Sequence, residues 1–304
     1  MSHYSTMLFV GNGFDQALGY KTGYSDFYKS IYFKGLLQSR NGFSAHINKQ
    51  IECSLDANKW SDLENGLYNY SRTLTQTIGE GNTEVAETFK REFEDLKQSL
   101  FDYLSDIQGG GVPFGGRSRL LLNWRKLDPV IVTFNYTISL LAELQDEIYI
   151  NNKNKLIPLH GLVNDISNCR TNTSSDIILG IDESQKVEEL HSFLYKSRQR
   201  KDDIRHLQRL INNHSNYIVF GCSMGMSDAT YFKILFDEQQ SGKRYLIYGK
   251  DAESVWNIQK NLYNYVDNWT DFSKRNEVMF LKTEECENCL KQTESFVNKI
   301  ISDK

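Results

Sequence analysis

Proline and long hydrophobic runs are both scarce in this chain. Its 304 residues include only 3 prolines, and 24% of them are charged against 39% that are hydrophobic. This balance is typical of a folded domain and argues against a long disordered segment. No apolar run approaches the roughly 18 residues that a membrane span needs, and no basic stretch followed by an apolar leader opens the sequence. We therefore expect a cytoplasmic protein that does not enter a membrane.

A strong positive charge is also missing. The formal net charge is −4, and basic patches such as KSRQRK at residues 196–201 are too short to track a phosphate backbone. Nucleic acid is therefore not an expected partner.

The cysteines do not form a disulfide framework or a zinc motif. There are five, at positions 53, 169, 222, 286 and 289, and an odd, scattered set indicates reduced thiols. Cys286 and Cys289 form a CxxC pair, but a structural zinc site needs two further ligands, and no second CxxC or HxxxH follows. We expect the pair to lie on a terminal helix and to bind no metal.

Short apolar runs recur along the chain and indicate buried strands. Continuous rather than alternating runs are typical of strands covered on both faces, as in a parallel sheet. Stretches with helical periodicity lie between most of them, which predicts a doubly wound, Rossmann-like α/β fold with a mostly parallel sheet of six or seven strands. The predicted strands are residues 7–10, 130–134, 156–159, 177–181, 217–220, 245–248 and 278–281.

Residues 30–112 interrupt this alternation. We find no parallel strand there, and glycines at positions 109–111, 115 and 116 provide a flexible return to the sheet. We predict a helical insertion at residues 30–112 within an α/β domain formed by residues 1–29 and 113–304. A long amphipathic helix in the insertion is indicated by apolar residues that step by three or four positions: Val85, Phe89, Phe93, Leu96, Leu100 and Leu104.

A glycine turn follows the first predicted strand, in the stretch TMLFVGNGFDQALGYKTGYSDFY at residues 6–28. Gly11, Asn12 and Gly13 precede a helix predicted to begin near Phe14. Glycines there tolerate positive φ and let backbone N–H groups approach a phosphate at the positive end of the helix dipole. The motif is incomplete, because Gln16 replaces the third glycine of GxGxxG and no P-loop Gly-Lys-Ser/Thr follows. By itself it fits a tight turn without a ligand about as well as a phosphate site.

The other predicted strands also end in polar residues. In an open α/β sheet, ligands bind beyond the carboxyl ends of the strands. We therefore expect these strand-end residues to converge on one cleft with the glycine turn. They are Asn135, His160, Gly180, Asp182, Gly221 and Ser223.

Five motifs, in order, resemble those of the AbiH family, bacterial proteins of phage abortive infection. They are GNGFDQALGYKTGYSDFY, TFNYT, LHG, ILGID and FGCSMGMSD, and they extend over residues 8–232. The family is in turn similar to sirtuin-like NAD-binding domains, in which a glycine turn, a GlyxxAspPhe segment, an asparagine and a His-Gly pair surround NAD. The matching residues in this sequence are Gly11, Gly13, Gly23, Asp26, Phe27, Asn135 and His160.

The resemblance implies an effector that consumes NAD+ as its substrate, with no tightly bound cofactor. The zinc-binding cysteines of true sirtuin deacylases have no counterpart here, so deacylation is not implied. In the last motif, FGCSMG, Cys222 stands at a position where many otherwise similar relatives have a histidine. A toxic NAD-consuming enzyme must be held inactive in healthy cells, so we also expect a homo-oligomer or a partner protein of a defence system. The residues predicted to contact the nucleotide are Gly11, Asn12, Gly13, Phe14, Asp15, Thr22, Asp26, Phe27, Gly180, Asp182, Gly221, Ser223 and Asp228.

Breaking the nicotinamide–ribose bond builds positive charge on the anomeric carbon, so the enzyme must orient a water, hold the ribose and stabilise that charge. Asn135 can donate and accept through one carboxamide, and His160 can take a proton near neutral pH. Asp15 or Asp26 would place negative charge near the sugar, and of the two we expect Asp15 to contact the ribose. Ser223, with the adjacent backbone, would hold the far ribose or its phosphate.

Two other readings stay open. The cleft could bind NAD, ADP-ribose or another nucleotide without chemistry, as a sensor or regulatory subunit. A nuclease or nucleotide phosphohydrolase would need a metal site, which Asp15, Asp26, Asp182 and Asp228 could supply if the fold brought them together. Asp228 could instead cap the helix that follows it.

Overall fold

A six-stranded sheet forms the centre of the protein in a computed structural model that describes residues 6–53, 63–110, 119–140, 155–163, 172–199 and 202–303. The strands are β1 (Thr6–Val10), β2 (Val130–Thr133), β3 (Leu156–Pro158), β4 (Asn216–Phe220), β5 (Arg244–Gly249) and β6 (Glu277–Lys282). Their order is β3-β2-β1-β4-β5-β6, and every neighbouring pair is parallel. The predicted Rossmann-like α/β fold is therefore confirmed, while its likeness to sirtuins stays a prediction.

β1 occupies the middle of the sheet and pairs with strands on both sides. Leu8 lies opposite Ile131 of β2 and Ile218 of β4. The chain builds one half of the sheet outward from β1, then crosses back and builds the other half from β4. In sheets of this order, the ligand crevice forms where the strand order reverses, beyond the carboxyl ends of the strands. The ends of β1 and β4 therefore mark the expected crevice.

Helices cover both faces of the sheet, so that β1 is buried along its whole length. Met7 and Phe9 join one apolar layer, and Leu8 and Val10 join the other, because successive side chains of a strand point to opposite faces. Among the described residues, no helix is both long and apolar enough to cross a membrane. The helices outside the segment between β1 and β2 are Lys196–Gln199, Asp202–Asn213, Ala229–Leu235, Ala252–Leu262, Trp269–Arg275 and Cys286–Ser302, with short 3-10 turns at Ser174–Asp176, Glu189–Leu194 and Met226–Asp228.

Every regular element described between β1 and β2 is a helix, as predicted. The helix Thr83–Gly109 begins at Asn82, whose side chain accepts a hydrogen bond from Val85 N–H at 3.1 Å. Phe89 and Phe93 on this helix are buried in an apolar cluster that the insertion forms with residues 177–181, which confirms the predicted stripe. The predicted domain boundary near residue 112 lies outside the described residues. The helices of this segment are Gly13–Ala17, Tyr24–Lys29, Ile31–Gln38, Gly42–Cys53, Leu63–Ile78, Thr83–Gly109 and Arg119–Arg125.

Residues 177–181 do not form a strand of the sheet, so this part of the prediction is wrong. Ile178 N–H donates to His160 O at 2.7 Å, and Ile181 N–H donates to Leu194 O at 2.9 Å. The segment is instead buried against the helical insertion. Burial on all sides produces the same continuous apolar pattern as a parallel strand, and the pattern alone does not separate the two.

The CxxC pair lies on the helix Cys286–Ser302, as expected. Cys286 is exposed at its first residue, and Cys289 is buried one turn later. Cys289 therefore packs the helix against the sheet.

Candidate functional site

A cleft of about 560 Å³ opens beyond the carboxyl ends of β1, β2 and β4. Its volume lies in the range of small-molecule and cofactor sites. Most residues singled out in the sequence meet here, although they come from well-separated stretches of the chain. Those that line the cleft are Gly11, Asn12, Gly13, Asp15, Thr22, Asn135, His160, Gly221, Ser223 and Asp228.

Phe14, Asp26 and Phe27 do not line the cleft, contrary to the prediction that they contact the nucleotide. Phe14 is 2% exposed and packs edge-on against Phe220, with ring centroids 5.9 Å apart. Phe27 is buried in the apolar cluster of the insertion. Asp26 lies in the first turn of the helix Tyr24–Lys29. These residues build the walls behind the cleft.

Gly180 and Asp182 also lie outside the cleft lining, so the structure does not bring them together with the other predicted contacts. A Cβ at Gly180 would lie 2.0 Å from Leu194 O, which shows why this tightly packed position is a glycine. Asp182 is buried and accepts a hydrogen bond from Thr230 N–H at 2.8 Å, which stabilises the start of the helix Ala229–Leu235. Residues 177–181 stay out of the sheet, and both residues serve packing and hydrogen bonding beside the cleft.

The glycine turn packs against the end of β4 and does not form the expected phosphate cradle. Gly11 N–H donates to Phe220 O and Gly13 N–H donates to Gly221 O, both at 2.9 Å. Neither Gly11 nor Gly13 has a positive φ, and the helix that follows is only 5 residues long. A Cβ at Gly13 would lie 2.7 Å from Gly221 Cα. Glycine is needed here because two strand ends approach closely.

The loop after β4 carries strained backbone where it lines the cleft. Gly221 has φ +69° and Met224 has φ +53°, in a region that costs a non-glycine residue about 1 kcal/mol or more. The loop is held from behind, since Tyr265 Oη–H donates to Met224 O at 2.9 Å and Asn261 Nδ2 donates to Ser223 O at 2.9 Å. Held strain of this kind is concentrated at ligand sites.

Cys222, which stands in this loop, is not an activated nucleophile. The residue is buried, and burial raises the pKa of its thiol. A reactive cysteine needs a thiolate, which burial among apolar groups disfavours. Its thiol instead donates to Phe220 O at 3.7 Å.

Asp15 is buried in the cleft lining and positions its neighbours, while its contact with the ribose stays a prediction. Its carboxylate accepts hydrogen bonds from Asn135 Nδ2 at 2.8 Å, from Thr137 Oγ1 and from Ser139 Oγ. Burial raises the pKa of Asp15, against the lowering effect of these hydrogen bonds. The carboxylate is thus occupied by protein donors and fixes the orientation of the Asn135 amide.

Asn135 lines the cleft and carries a buried acceptor without a partner among the described residues. The residue is 4% exposed, and its Oδ1 has no hydrogen-bond partner among the described residues. Buried polar atoms nearly always have partners, and one left open costs about 1–3 kcal/mol. Because Nδ2 donates to Asp15, the amide is oriented with Oδ1 as the remaining acceptor. The arrangement suits a donor supplied by a ligand or a water.

His160 contacts a chain of ionisable side chains that ends on the helical insertion. His160 Nε2 lies 2.8 Å from Asp228 Oδ1. The same oxygen lies 2.8 Å from Lys196 Nζ, which in turn lies 2.7 Å from Glu64 Oε1. Lys196 and Glu64 are each 4% exposed. The Asp228 side chain makes no cap hydrogen bond to the helix after it, so its partners are these charges rather than the helix.

The charges in this chain stabilise one another. Burial acts to lower the pKa of Lys196, but Asp228 and Glu64 outweigh it and raise that pKa. Burial acts to raise the pKa of Asp228, but Lys196 and His160 outweigh it and hold that pKa well below its usual range. Burial raises the pKa of Glu64 against the opposing effect of Lys196. Lys196 and Asp228 are therefore ionised near neutral pH, and the charge on Glu64 is the costly one.

Sequence reasoning misses both Glu64 and Lys196. Lys196 stands out only as part of the basic patch at residues 196–201, and Glu64 lies in the insertion with no motif around it. Tyr136, which also lines the cleft, follows Asn135 directly and could have been included from the motif TFNYT. The position of Glu64 depends on how the insertion packs on the sheet, which no local pattern encodes.

The strand-end acids do not converge on a metal site. Asp15 is occupied by side-chain donors, Asp182 by backbone N–H groups, and Asp228 by Lys196 and His160. Within the described part of the chain, no group of three or more His, Cys, Asp or Glu side chains could hold a metal ion. The metal-dependent alternative therefore lacks its ligand set among these residues.

Comparison with known proteins identifies a family for this chain. A family model described as bacteriophage abortive infection AbiH matches residues 7–249. The match runs from β1 to the end of β5 and includes Asn135, His160 and Asp228. No curated protein gives a significant match to the chain.

Proposed function

The chain belongs to the AbiH family of bacteriophage abortive infection, and from this premise we propose that it acts in antiphage defence by hydrolysing NAD+ to nicotinamide and ADP-ribose. Loss of NAD+ would stop the metabolism of an infected cell and, with it, phage growth. NAD+ is the substrate, and no tightly bound cofactor takes part. Control by self-assembly or by a partner protein of a defence system belongs to the same proposal.

The open acceptor of Asn135 is the observation that supports this reaction best. Hydrolysis at the anomeric carbon needs a water or a ribose hydroxyl held in a fixed position, and both are hydrogen-bond donors. Asn135 Oδ1 is a buried acceptor without a protein donor among the described residues. Its amide is held by Asp15 at 2.8 Å. It is therefore preorganised to accept from such a donor.

In the proposed reaction, the bond between ribose C1′ and the pyridinium nitrogen breaks, and its electron pair leaves with neutral nicotinamide. Water adds to C1′ and gives up one proton, which His160 accepts as the general base. Because His160 Nε2 is held 2.8 Å from Asp228, Nδ1 is left as the basic ring nitrogen. The products are nicotinamide, ADP-ribose and a proton.

Binding without turnover is the second candidate, and the position of Lys196 favours it. The Lys196 ammonium lies 3.4 Å from His160 Nε2. Asp228 Oδ1 lies 2.8 Å from the same nitrogen, so His160 is held within a group of paired side chains, which suits a positioning role in binding. The same cleft would then serve a sensor or regulatory subunit that binds NAD or ADP-ribose.

Incubating the purified protein with NAD+, with and without EDTA, tests the proposal through the release of nicotinamide. Asn135→Ala and His160→Ala should each lower the rate on the order of 10²-fold or more, while NAD+ binding measured by calorimetry need not fall. Ser139→Ala is the matched control, because Ser139 also donates to Asp15 but does not line the cleft. Circular dichroism establishes that all variants are folded.

The outcomes separate the candidates. Wild-type rates in both Asn135→Ala and His160→Ala would disprove the catalytic assignment. Saturable NAD+ binding without nicotinamide release, by protein purified from phage-infected cells, would favour the sensor. Turnover that EDTA abolishes would contradict the mechanism given above.

A further inference from the structure

Glu64 brings a carboxylate of the helical insertion into the cleft lining, and the proposed reaction gives it no role. It lies in the first turn of the helix Leu63–Ile78. Its Oε1 lies 2.7 Å from Lys196 Nζ, so it shares one buried cation with Asp228. Two elements distant in sequence thus direct carboxylates at the same ammonium.

The charges around Lys196 do not balance. Glu64 and Asp228 carry two negative charges when ionised, against the single positive charge of Lys196. Among the described residues that line the cleft there is no Lys or Arg, and Asp15 adds a further carboxylate. An uncompensated buried charge is costly, so the cleft favours a cation beside this group.

The surroundings of Glu64 suit an aromatic cation. Tyr24 and Tyr136 line the cleft and interact electrostatically with Glu64. Aromatic faces attract cations. Because burial raises the pKa of Glu64, its ionised form is costly, and a cationic ring beside it would offset that cost whereas a neutral ring would not.

An independent observation indicates that a ligand enters this cleft. Asn135, which is 4% exposed, lines the same space, and its Oδ1 has no partner among the described residues. Glu64 therefore faces a space that already presents an open acceptor.

We propose that Glu64 gives this cleft a preference for a cationic pyridinium ring, and so for the oxidised over the reduced nicotinamide dinucleotide. The inference rests on the proposed function, in that the ligand is taken to be a nicotinamide dinucleotide. The oxidised ring carries a positive charge and the reduced ring is neutral, while the riboses and phosphates are the same. The ratio of the two affinities therefore measures the electrostatic preference.

Calorimetry with three ligands tests the proposal. Carbocyclic NAD+ has the cationic ring but resists hydrolysis, NADH has the neutral ring, and ADP-ribose has no ring. The wild type should bind carbocyclic NAD+ about tenfold or more tightly than NADH. Glu64→Gln keeps the shape of the side chain and leaves Lys196 paired with Asp228. It should reduce the preference to about twofold or less and leave the affinity for ADP-ribose unchanged.

Glu92→Gln is the matched control. Glu92 also belongs to the insertion, but it accepts a hydrogen bond from Gly42 N–H at 2.8 Å and does not line the cleft. The substitution makes the same change in net charge, and the tenfold preference should persist.

Equal wild-type affinity for carbocyclic NAD+ and NADH would overturn the proposal, and so would a folded Glu64→Gln protein that keeps the full preference. If that protein does not fold, the wild-type comparison still decides. Release of nicotinamide from NAD+ without any preference in binding would leave the proposed function standing and overturn this inference alone. A wild type that binds none of the three ligands would overturn both.

Discussion

Lys196 is the cation that compensates two buried carboxylates, and Lys196→Met should therefore lower the free energy of unfolding by about 3–5 kcal/mol. Methionine keeps much of the apolar stem but removes the charge that lies 2.7 Å from Glu64 Oε1 and 2.8 Å from Asp228 Oδ1. Removal of one partner from a buried pair is costly because the remaining charge is desolvated without compensation. Here the two remaining carboxylates would also repel each other.

The loss converts to a measurable change in melting temperature. For a chain of 304 residues, an unfolding entropy of about 2.1 cal/mol/K per residue gives about 0.64 kcal/mol/K, so the melting temperature should fall by about 5–8 °C. Calorimetry at neutral pH measures this fall. Combining Lys196→Met with Glu64→Gln should recover about half of it, because one uncompensated charge is removed.

A surface lysine provides the control. Lys299 Nζ lies 2.6 Å from Glu277 Oε2, but the Lys299 side chain is 49% exposed, so Lys299→Met should shift the melting temperature by less than about 2 °C. Lowering the pH should reduce the deficit of Lys196→Met, since protonation neutralises the unpaired carboxylates. A Lys196→Met protein that melts within about 2 °C of the wild type would refute the reasoning.

Three further predictions concern backbone, pH and a buried carboxylate. Gly221→Ala should destabilise the protein by about 2 kcal/mol more than Gly242→Ala in urea unfolding. Both glycines have φ +69°, but a Cβ at Gly221 would lie 2.5 Å from a backbone nitrogen, whereas nothing lies within 4 Å at Gly242. Although burial opposes it, the ammonium and imidazole beside Asp228 hold its pKa below the usual range. The contribution of Asp228 to stability should be complete above the unfolded-state pKa of about 4 and be lost as the pH falls below that value. The melting temperature of the wild type should therefore fall more steeply in acid than that of Asp228→Asn, and identical acid titrations of the two proteins would contradict this. Asp15→Asn should lower the free energy of unfolding by about 2 kcal/mol, measured with denaturant, because a neutral acceptor replaces a charged one that binds three side-chain donors.

The architecture of the sheet could be predicted because strands buried on both faces have continuous apolar sequences. β1 reads as TMLFV, and each of its residues is at most 2% exposed. The same continuous apolar pattern led to the wrong prediction of a strand at residues 177–181. That segment is buried because the insertion covers it, and not because it lies in the sheet. Local hydrophobicity reports that a segment is buried, and it does not report what covers the segment.

The candidate site could be predicted only where it follows from the sheet. Asn135 and His160 come directly after strands, and parallel strands end at the same edge, so their meeting follows from topology. Glu64 reaches the cleft through the packing of a helix against the sheet, and its short-range surroundings are those of any surface glutamate. Its ion pair with Lys196 joins two residues that are distant in sequence, so no local sequence pattern predicts it.

The central place of β1 also has a consequence for protein synthesis. β1 ends at Val10, yet its neighbours begin at Val130 and Asn216. At ordinary rates of translation, about 5–20 residues per second, both edges of this apolar strand wait on the order of ten seconds or more for their partners. The helices of the insertion can form on the ribosome during that interval, although their full packing waits for residues 177–196, and β1 remains an unpaired, aggregation-prone segment. Chaperone binding to β1 during this interval should therefore raise the yield of folded protein.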